Sequence, residues 1–229
     1  MFKGAFCCCL LLFAANVFAE IEPYSCRNGA FPSYENLALG QIVAAKGEKV
    51  HARDDGKGCP QADKCRQKGY LINGDRVLVK PAQQGWVCSY YLGKKNDYTG
   101  YITQGKVRLV QYAATPAPSA WAGQWRSLGG RFANKIAITT TQNGQLQVEG
   151  RAFWYGGKTP DGNSDIVHFG GVSGKAAAKG NRLTISEGSD KYSCAAHLRL
   201  LGSLLVVNDN GNCGGMNVRF DAVYRKAGQ

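Results

Sequence analysis

Cysteine and histidine side chains are the residues of this sequence best suited to chemistry. Cys194 lies three residues before His197, and His168 lies three residues after Asp165. A cysteine nucleophile needs a thiolate-favouring site and a base that reaches it. Cys194 and His197 instead fall on opposite faces of one predicted strand, because successive side chains alternate. A lone histidine near an aspartate in a loop is typical of a structural or solvated side chain, so we predict no catalytic residue here.

Other reaction classes lack their signatures. A serine hydrolase usually shows a nucleophile-elbow motif, which is absent from the sequence. The acidic residues of the second half lie mostly beside turns, where they form turns rather than a glycosidase pair. Structural zinc needs closely spaced ligands, but there is no C-x-x-C pair and the three histidines stand apart from close cysteine pairs. We therefore predict a protein that is not an enzyme, with no cofactor and no bound metal.

The first 19 residues predict export. Lys3 precedes an apolar run over Ala5–Ala15, and Val17-Phe18-Ala19 places small residues before Glu20, as in a signal peptide cleaved after Ala19. The run is shorter than the roughly 20 residues that a membrane-spanning helix needs. We expect a periplasmic or secreted bacterial protein with no membrane span after cleavage.

The remaining cysteines predict disulfides, because their number is even and an exported chain meets an oxidising environment. Cys194 and Cys213 flank a turn at Gly202-Ser203 almost symmetrically, so we expect them to face each other across neighbouring strands. The other four cysteines allow three pairings, and spacing alone does not choose among them. We favour Cys59–Cys65 closing a polar loop and Cys26–Cys88 tying the N-terminal arm to a strand.

Charge indicates the class of partner. Removal of Lys3 with the signal peptide leaves 27 basic residues against 16 acidic ones, a net charge of +11. The excess is spread along the chain, which suits anionic cell-wall surfaces, other polyanions or an acidic protein. We do not expect a nucleic-acid partner for an exported chain.

Composition divides the chain into two domains. The segment AATPAPSA, residues 113–120, has the composition of an extended linker between a domain over residues 20–112 and another over residues 121–229. Alternating apolar residues and frequent glycine turns predict strands on both sides. The first domain's strands are predicted at Gln41–Ala45, Lys49–Arg53, Tyr70–Ile72, Arg76–Lys80, Gly85–Tyr91, Gly100–Thr103 and Lys106–Val110.

The second domain has the same pattern of short strands and turns. Its strands are predicted at Gln124–Ser127, Ile136–Thr141, Gln145–Glu149, Arg151–Tyr155, Ile166–Phe169, Arg182–Ser186, Tyr192–Leu200, Leu204–Asn208 and Met216–Tyr224. The predicted fold class is all-β, with two small antiparallel β-barrel or sandwich domains joined by the Ala/Pro-rich linker.

The first domain resembles the bacterial SH3-like (SH3b) family over about Leu39 to Val110. The resemblance is carried by Val50-His51-Ala52-Arg53, Gly69-Tyr70-Leu71, Gly74-Asp75, Val77-Leu78-Val79, Gly85-Trp86-Val87 and Thr99-Gly100-Tyr101-Ile102. It implies a small targeting barrel, of a kind that often accompanies envelope proteins and in several members binds cell-wall peptides. The candidate binding residues are then aromatic: Trp86, Tyr90, Tyr91 and Tyr98.

The second domain resembles small calycin barrels, which include lipocalins, avidins and bacterial metalloprotease inhibitors. Gly123-Gln124-Trp125 and Arg225 carry this likeness, which implies a tryptophan closing the barrel floor with an arginine packed across it. The turn-rich segment Tyr155–Ser164 is a candidate functional loop. The candidate binding residues here are Trp154, Tyr155, Lys158, Asp161 and His168.

These features together predict a non-catalytic binding protein of the periplasm. The first hypothesis is an inhibitor or immunity-type protein that occludes an envelope hydrolase, a protease or a toxin. The alternative is a peptidoglycan-binding module that acts at the cell wall through the aromatic residues of the first domain.

Overall fold

The computed structural model describes residues 21–22, 24–33, 35–93, 96–128 and 130–228. The predicted signal peptide, residues 1–19, lies outside these described residues. No helix in the described part of the chain is long and apolar enough to cross a membrane.

The chain is all-β, as the alternating sequence predicted. One helical turn, α1, covers Pro118–Trp121 within and just after the predicted linker. Four short 3-10 segments lie at Asn28–Ser33, Asp63–Cys65, Gln104–Lys106 and Gly130–Phe132. The strands are β1 Ala38–Ile42, β2 Arg76–Val79, β3 Trp86–Leu92, β4 Asp97–Thr103, β5 Val107–Leu109, β6 Gly123–Arg126, β7 Lys135–Thr140, β8 Leu146–Lys158, β9 Asp165–Ala176, β10 Arg182–Ser186, β11 Ala195–Leu201, β12 Leu204–Asp209 and β13 Ala222–Lys226.

The strands form two antiparallel sheets. The first has the order β4-β3-β2-β1-β5, and the second has the order β10-β11-β12-β13-β6-β7-β8-β9. The second sheet is a meander that curls until its two edge strands meet. Glu187 Oε1, just after β10, accepts a hydrogen bond of 2.7 Å from the Ser173 amide on β9. This sheet is therefore a nearly closed eight-stranded barrel.

The predicted hairpin around Gly202-Ser203 is confirmed. Leu201 pairs with Leu204 across the turn, and Gly202 adopts a φ of 62°, which favours glycine. Cys194 and Cys213 form a disulfide with Cα atoms 4.5 Å apart, beyond the paired part of β11 and β12. The disulfides Cys59–Cys65 and Cys26–Cys88 are also present, as favoured from the sequence.

Several predicted strand boundaries were wrong. The two strands predicted at Gln145–Glu149 and Arg151–Tyr155 are one strand, β8, because Gly150 continues the ladder. A Cβ at Gly150 would lie 2.8 Å from the Phe220 ring, so this glycine permits close packing rather than a turn. The predicted strand Met216–Tyr224 starts instead at Ala222. The segments at Lys49–Arg53 and Tyr70–Ile72 form only isolated bridges.

The loop before β13 explains the late start of that strand. The Asp209 carboxylate accepts hydrogen bonds from the backbone amides of Gly211 and Phe220, and the Arg219 guanidinium pairs with it at 3.3 Å. These bonds hold residues 209–220 as a loop across one end of the barrel. Val218 and Phe220 from this loop belong to the barrel core.

The two sheets share a buried apolar layer that we name the junction cluster. It combines side chains from the N-terminal arm, residues 21–37, from the first sheet, and from β11, β12 and β13. Phe31 of the arm is fully buried and lies 5.3 Å from the Tyr90 ring, and Cys26 is bonded to Cys88. Arg199 donates hydrogen bonds of 2.9 Å to the carbonyls of Pro32 and Glu35. The arm is thus bonded to both sheets.

Candidate functional site

The longest hairpin of the barrel extends past its neighbouring strand. β7 pairs with β8 only as far as Arg151, whereas β8 and β9 continue to pair up to Lys158 and Asp165. We name this far part of the hairpin, residues 152–158 and 165–170, the ribbon. Beyond Arg151, the edge of β8 that pairs with β7 has no pairing strand in the described part of the chain, and the other edge pairs with β9.

The outer face of the ribbon carries exposed aromatic side chains. Phe153 pairs across the strands with Phe169, and Tyr155 lies two residues further along the same face. Phe169 is 74% exposed and Tyr155 is 41% exposed. The Phe132 ring stacks on Tyr155 with a centroid distance of 4.8 Å. Such a contiguous exposed apolar surface is typical of an interaction site.

A shallow groove of about 620 Å³ runs beside these rings. It is lined by Phe153 and Phe169 and by the neighbouring residues Gly150, Arg151, Gly170 and Gly171. A Cβ at Gly171 would contact only the Gly150 carbonyl oxygen, at 3.7 Å, so neither packing nor backbone geometry requires glycine there. The bare backbone at Gly171 keeps the groove open.

The inner face of the ribbon is fixed to the barrel. Trp154 pairs with His168, their rings lie 5.1 Å apart, and Trp154 packs against the barrel core. His168 Nδ1 lies 2.8 Å from the Met216 carbonyl oxygen. Gly170 approaches Gly214 so closely that a Cβ would lie inside contact distance of the Cys213 carbonyl. The Cys194–Cys213 disulfide therefore holds the loop that supports this face.

Ion pairs hold the base of the turn at the end of the ribbon. Asp165 lies 2.9 Å from Lys158 Nζ and also pairs with the Arg131 guanidinium. The hydrogen bond from Lys158 is the main cause that lowers the pKa of Asp165, and burial opposes it. Asp161 accepts hydrogen bonds from Thr159 and Asn163, which lower its pKa and shape the turn.

The ribbon and the turn at its end thus collect the five binding residues predicted in the second domain. Trp154 and His168 lie on its inner face, Tyr155 on its outer face, and Lys158 and Asp161 at or near its turn. Sequence reasoning missed Phe132, Phe153 and Phe169. Strand alternation already places Phe153 with Tyr155, but the contact of Phe132 with Tyr155 joins residues that no short-range pattern relates.

The aromatic residues predicted in the first domain lie in a different environment. Tyr90 is only 5% exposed, belongs to the junction cluster, and donates a hydrogen bond of 3.2 Å to Asp97. Trp86 packs against the same cluster from the same face of β3. Tyr91 and Tyr98 face the other side and pack against the core of the first sheet. The Tyr98 hydroxyl donates to the Gly69 carbonyl. These four side chains support the fold.

The barrel interior is filled by its own side chains. Trp125 is 1% exposed, and its indole N–H donates a hydrogen bond of 2.8 Å to the Trp121 carbonyl oxygen. The cation that packs on Trp125 is Lys226, at 5.3 Å, whereas the calycin resemblance implied Arg225, which lies inside β13. A core of buried residues occupies the space where a lipocalin-type barrel would hold a ligand.

The histidine and cysteine groups considered for catalysis are engaged elsewhere. Cys194 is bonded to Cys213, and His197 Nδ1 lies 3.1 Å from the Thr184 hydroxyl. Asp165 is ion-paired with Lys158 and Arg131, and His168 contacts Met216 instead. In the described part of the chain, no group of three potential metal ligands converges.

Comparison with known proteins gives no relative for this arrangement. No protein-family model, no curated protein and no solved structure matches the chain. The SH3b and calycin resemblances therefore stay predictions, and the functional argument rests on the chain's own geometry.

Proposed function

We propose that this protein is a non-catalytic binding protein of the inhibitor or immunity type, exported to the periplasm, and that it holds a protein partner on the outer face of the ribbon. The observation that carries the proposal is the row of Phe153, Phe169 and Tyr155 on a hairpin that extends past β7. Aromatic side chains dominate binding energy at protein interfaces because they bury a large area at small entropic cost.

The shape of the ribbon suits the occlusion of an enzyme. A two-stranded hairpin whose base is held in place can enter a cleft with little loss of conformational entropy, because its inner face is already held by Trp154 and His168. The ion pairs of Asp165 brace its turn. The net positive charge of the chain would speed its encounter with an acidic partner. Three disulfides fit a chain that works in an oxidising compartment.

Peptidoglycan binding by the first domain receives less support. Of the four aromatic residues on which it depends, Tyr90 is buried, Trp86 packs into the junction cluster, and Tyr98 bonds to Gly69. Co-sedimentation of the purified mature protein with insoluble peptidoglycan at physiological salt tests this alternative directly.

The test of the proposed function is capture followed by inhibition. Residues 20–229 serve as bait in an envelope extract, beside a Tyr155→Ser/Phe169→Ser variant. A Leu109→Ser/Tyr192→Ser variant is the matched control, because these side chains are 60% and 74% exposed and belong to segments other than the ribbon. We expect the parent and the control to capture an envelope hydrolase, protease or toxin and to inhibit it at stoichiometric amounts.

The ribbon variant should bind that enzyme at least tenfold more weakly, as expected for central aromatic contacts. Gly171→Leu provides a second test, because its side chain would fill the groove without disturbing the core. Its control is Gly105→Leu, where a Cβ meets nothing within 4 Å. Equal capture by every variant, or capture of an enzyme whose activity is unchanged, would contradict the proposal.

A further inference from the structure

A second surface of the molecule, remote in sequence from the ribbon, concentrates positive charge. Residues 49–53 and 66–71 run antiparallel, with bridges between Val50 and Leu71 and between Arg53 and Arg66. Val50, Ala52 and Leu71 are buried, so the alternate side chains of this pair face outwards. We name the outward side, formed by Lys49, His51, Arg53, Arg66, Lys68 and Tyr70, the basic face.

Three cations of the basic face, Lys49, Arg66 and Lys68, are not neutralised within the described part of the chain. Lys49, Arg66 and Lys68 are exposed, and none of them forms an ion pair with a described residue. The nearby carboxylates have partners other than these three cations. Asp55 pairs with Arg27, Asp63 with Arg53, and Glu48 with Lys106, whose hydrogen bond lowers the pKa of Glu48. Asp54 accepts a hydrogen bond of 2.7 Å from Gln67. The positive potential of this face is therefore available to a ligand.

An aromatic ring lies among these cations. Tyr70 is 49% exposed, and Lys49 Nζ lies 4.6 Å from the centre of its ring. The His51 ring lies 5.9 Å from it on the same side. The ring holds the Lys49 ammonium in place through a cation–π contact, which reduces the disorder that a long side chain would lose on binding.

The backbone beneath the basic face is held in place. Arg53 Nη1 donates hydrogen bonds to the carbonyls of Pro60 and Ala62, at 3.2 and 2.9 Å, inside the loop that the Cys59–Cys65 disulfide closes. The Tyr98 hydroxyl donates to Gly69, and a Cβ at Gly69 would clash with the Tyr98 ring. The backbone that carries these cations is therefore ordered before an anion binds, which limits the entropy lost on binding.

We propose that the basic face binds a linear anionic polymer, through closely spaced negative groups that pair with Lys49, Arg66 and Lys68. The interaction is electrostatic, so it weakens steeply with salt. It places the molecule on an anionic polymer while the ribbon stays free to meet its own partner. The proposal does not depend on the ribbon having a protein partner.

Heparin and polyphosphate are suitable probes, because they distinguish sulfated sugar from a bare phosphate chain. The test compares the parent with Lys49→Gln/Arg66→Gln/Lys68→Gln. The control is Arg126→Gln/Lys175→Gln/Lys179→Gln, which removes the same charge from exposed, unpaired positions of the second sheet and its loops. Circular dichroism checks that each variant keeps the β fold.

We expect the basic-face variant to bind heparin and polyphosphate about 100-fold more weakly than the parent at low salt, because each cation beside an anionic surface usually contributes to affinity. The control should stay within about threefold of the parent, and Phe169→Ser should bind the polymers as the parent does. If the parent binds heparin alone or polyphosphate alone, the proposal holds, and the bound probe identifies the anionic group that the basic face recognises. An equal loss of affinity in both triple variants would overturn the proposal, since a general effect of net charge would then explain the binding. A parent protein that binds neither polymer would also overturn it.

Discussion

β3 and the ribbon both contain several aromatic side chains, but those of β3 pack within the fold and those on the outer face of the ribbon are exposed. Trp86, Tyr90 and Tyr91 of β3 have neighbours on both faces of their sheet, because the junction cluster covers one side and the first-sheet core covers the other. Phe153, Tyr155 and Phe169 lie on the outer face of the ribbon, opposite the face on which Trp154 packs against the barrel core, and Phe169 and Tyr155 are exposed. The difference shows that the cover over a strand, more than its composition, decides whether its aromatic residues are buried in the fold or left exposed.

Tyr90→Ala gives the largest expected effect on the covered side. Tyr90 is 5% exposed and packs against the fully buried Phe31. Its loss should lower the free energy of unfolding by about 3–5 kcal/mol, as for other large aromatic truncations in a core. Chemical denaturation measures this change, with Tyr192→Ala as the exposed control. A loss below about 1 kcal/mol would mean that the junction cluster does not support the fold.

Removal of the arm's disulfide should have the next largest effect. The Cys26→Ala/Cys88→Ala variant frees the arm that covers one face of β3, and its closed loop spans 62 residues. Loop entropy predicts a loss of about 4 kcal/mol, against about 2 kcal/mol for the Cys59–Cys65 loop with a separation of 6. Denaturation of the two double variants provides the comparison. The reverse order of stability would contradict the role of the arm as a cover.

Phe169→Ala should barely change stability, although it removes a whole aromatic ring. The side chain is 74% exposed on the outer face of the ribbon, and surface substitutions usually change the free energy of unfolding by less than about 0.5 kcal/mol. The same denaturation assay measures it beside Tyr90→Ala. If the two variants lost similar stability, the contrast between covered and uncovered aromatic residues would fail.

The smallest expected effect concerns the base of the ribbon turn at low pH. Lys158 and Arg131 lower the pKa of Asp165 below its unfolded value of about 4, so the ion pairs stabilise the ribbon above that pH. This contribution is lost as the pH falls through the lower folded-state pKa. Asp165→Asn should therefore lower the thermal midpoint slightly at pH 6, and the difference from the parent should shrink as the pH falls below about 4. A difference that stayed unchanged as the pH fell would assign the effect to packing.

Much of the fold followed from local patterns. Alternation identified most strands, and Gly202-Ser203 gave the hairpin turn whose position predicted the Cys194–Cys213 disulfide. The wrong strand boundaries arose where a residue that usually marks a turn is required instead by a contact with a segment far along the chain. Gly150 resembles a strand break but makes room for Phe220, which lies 70 residues further along the chain. The predicted sites of the second domain gathered on the ribbon, whereas Tyr90 became buried.

The sequence by itself determined the all-β class, the Cys194–Cys213 pair and the face on which each side chain of a strand lies, because these depend on residues close along the chain. Only the tertiary structure decided which faces are covered. The arm reaches both sheets through Phe31 and Arg199, and the loop before β13 supports the ribbon through Gly214. Burial depends on contacts between segments that are far apart in sequence, and alternation carries no information about those contacts.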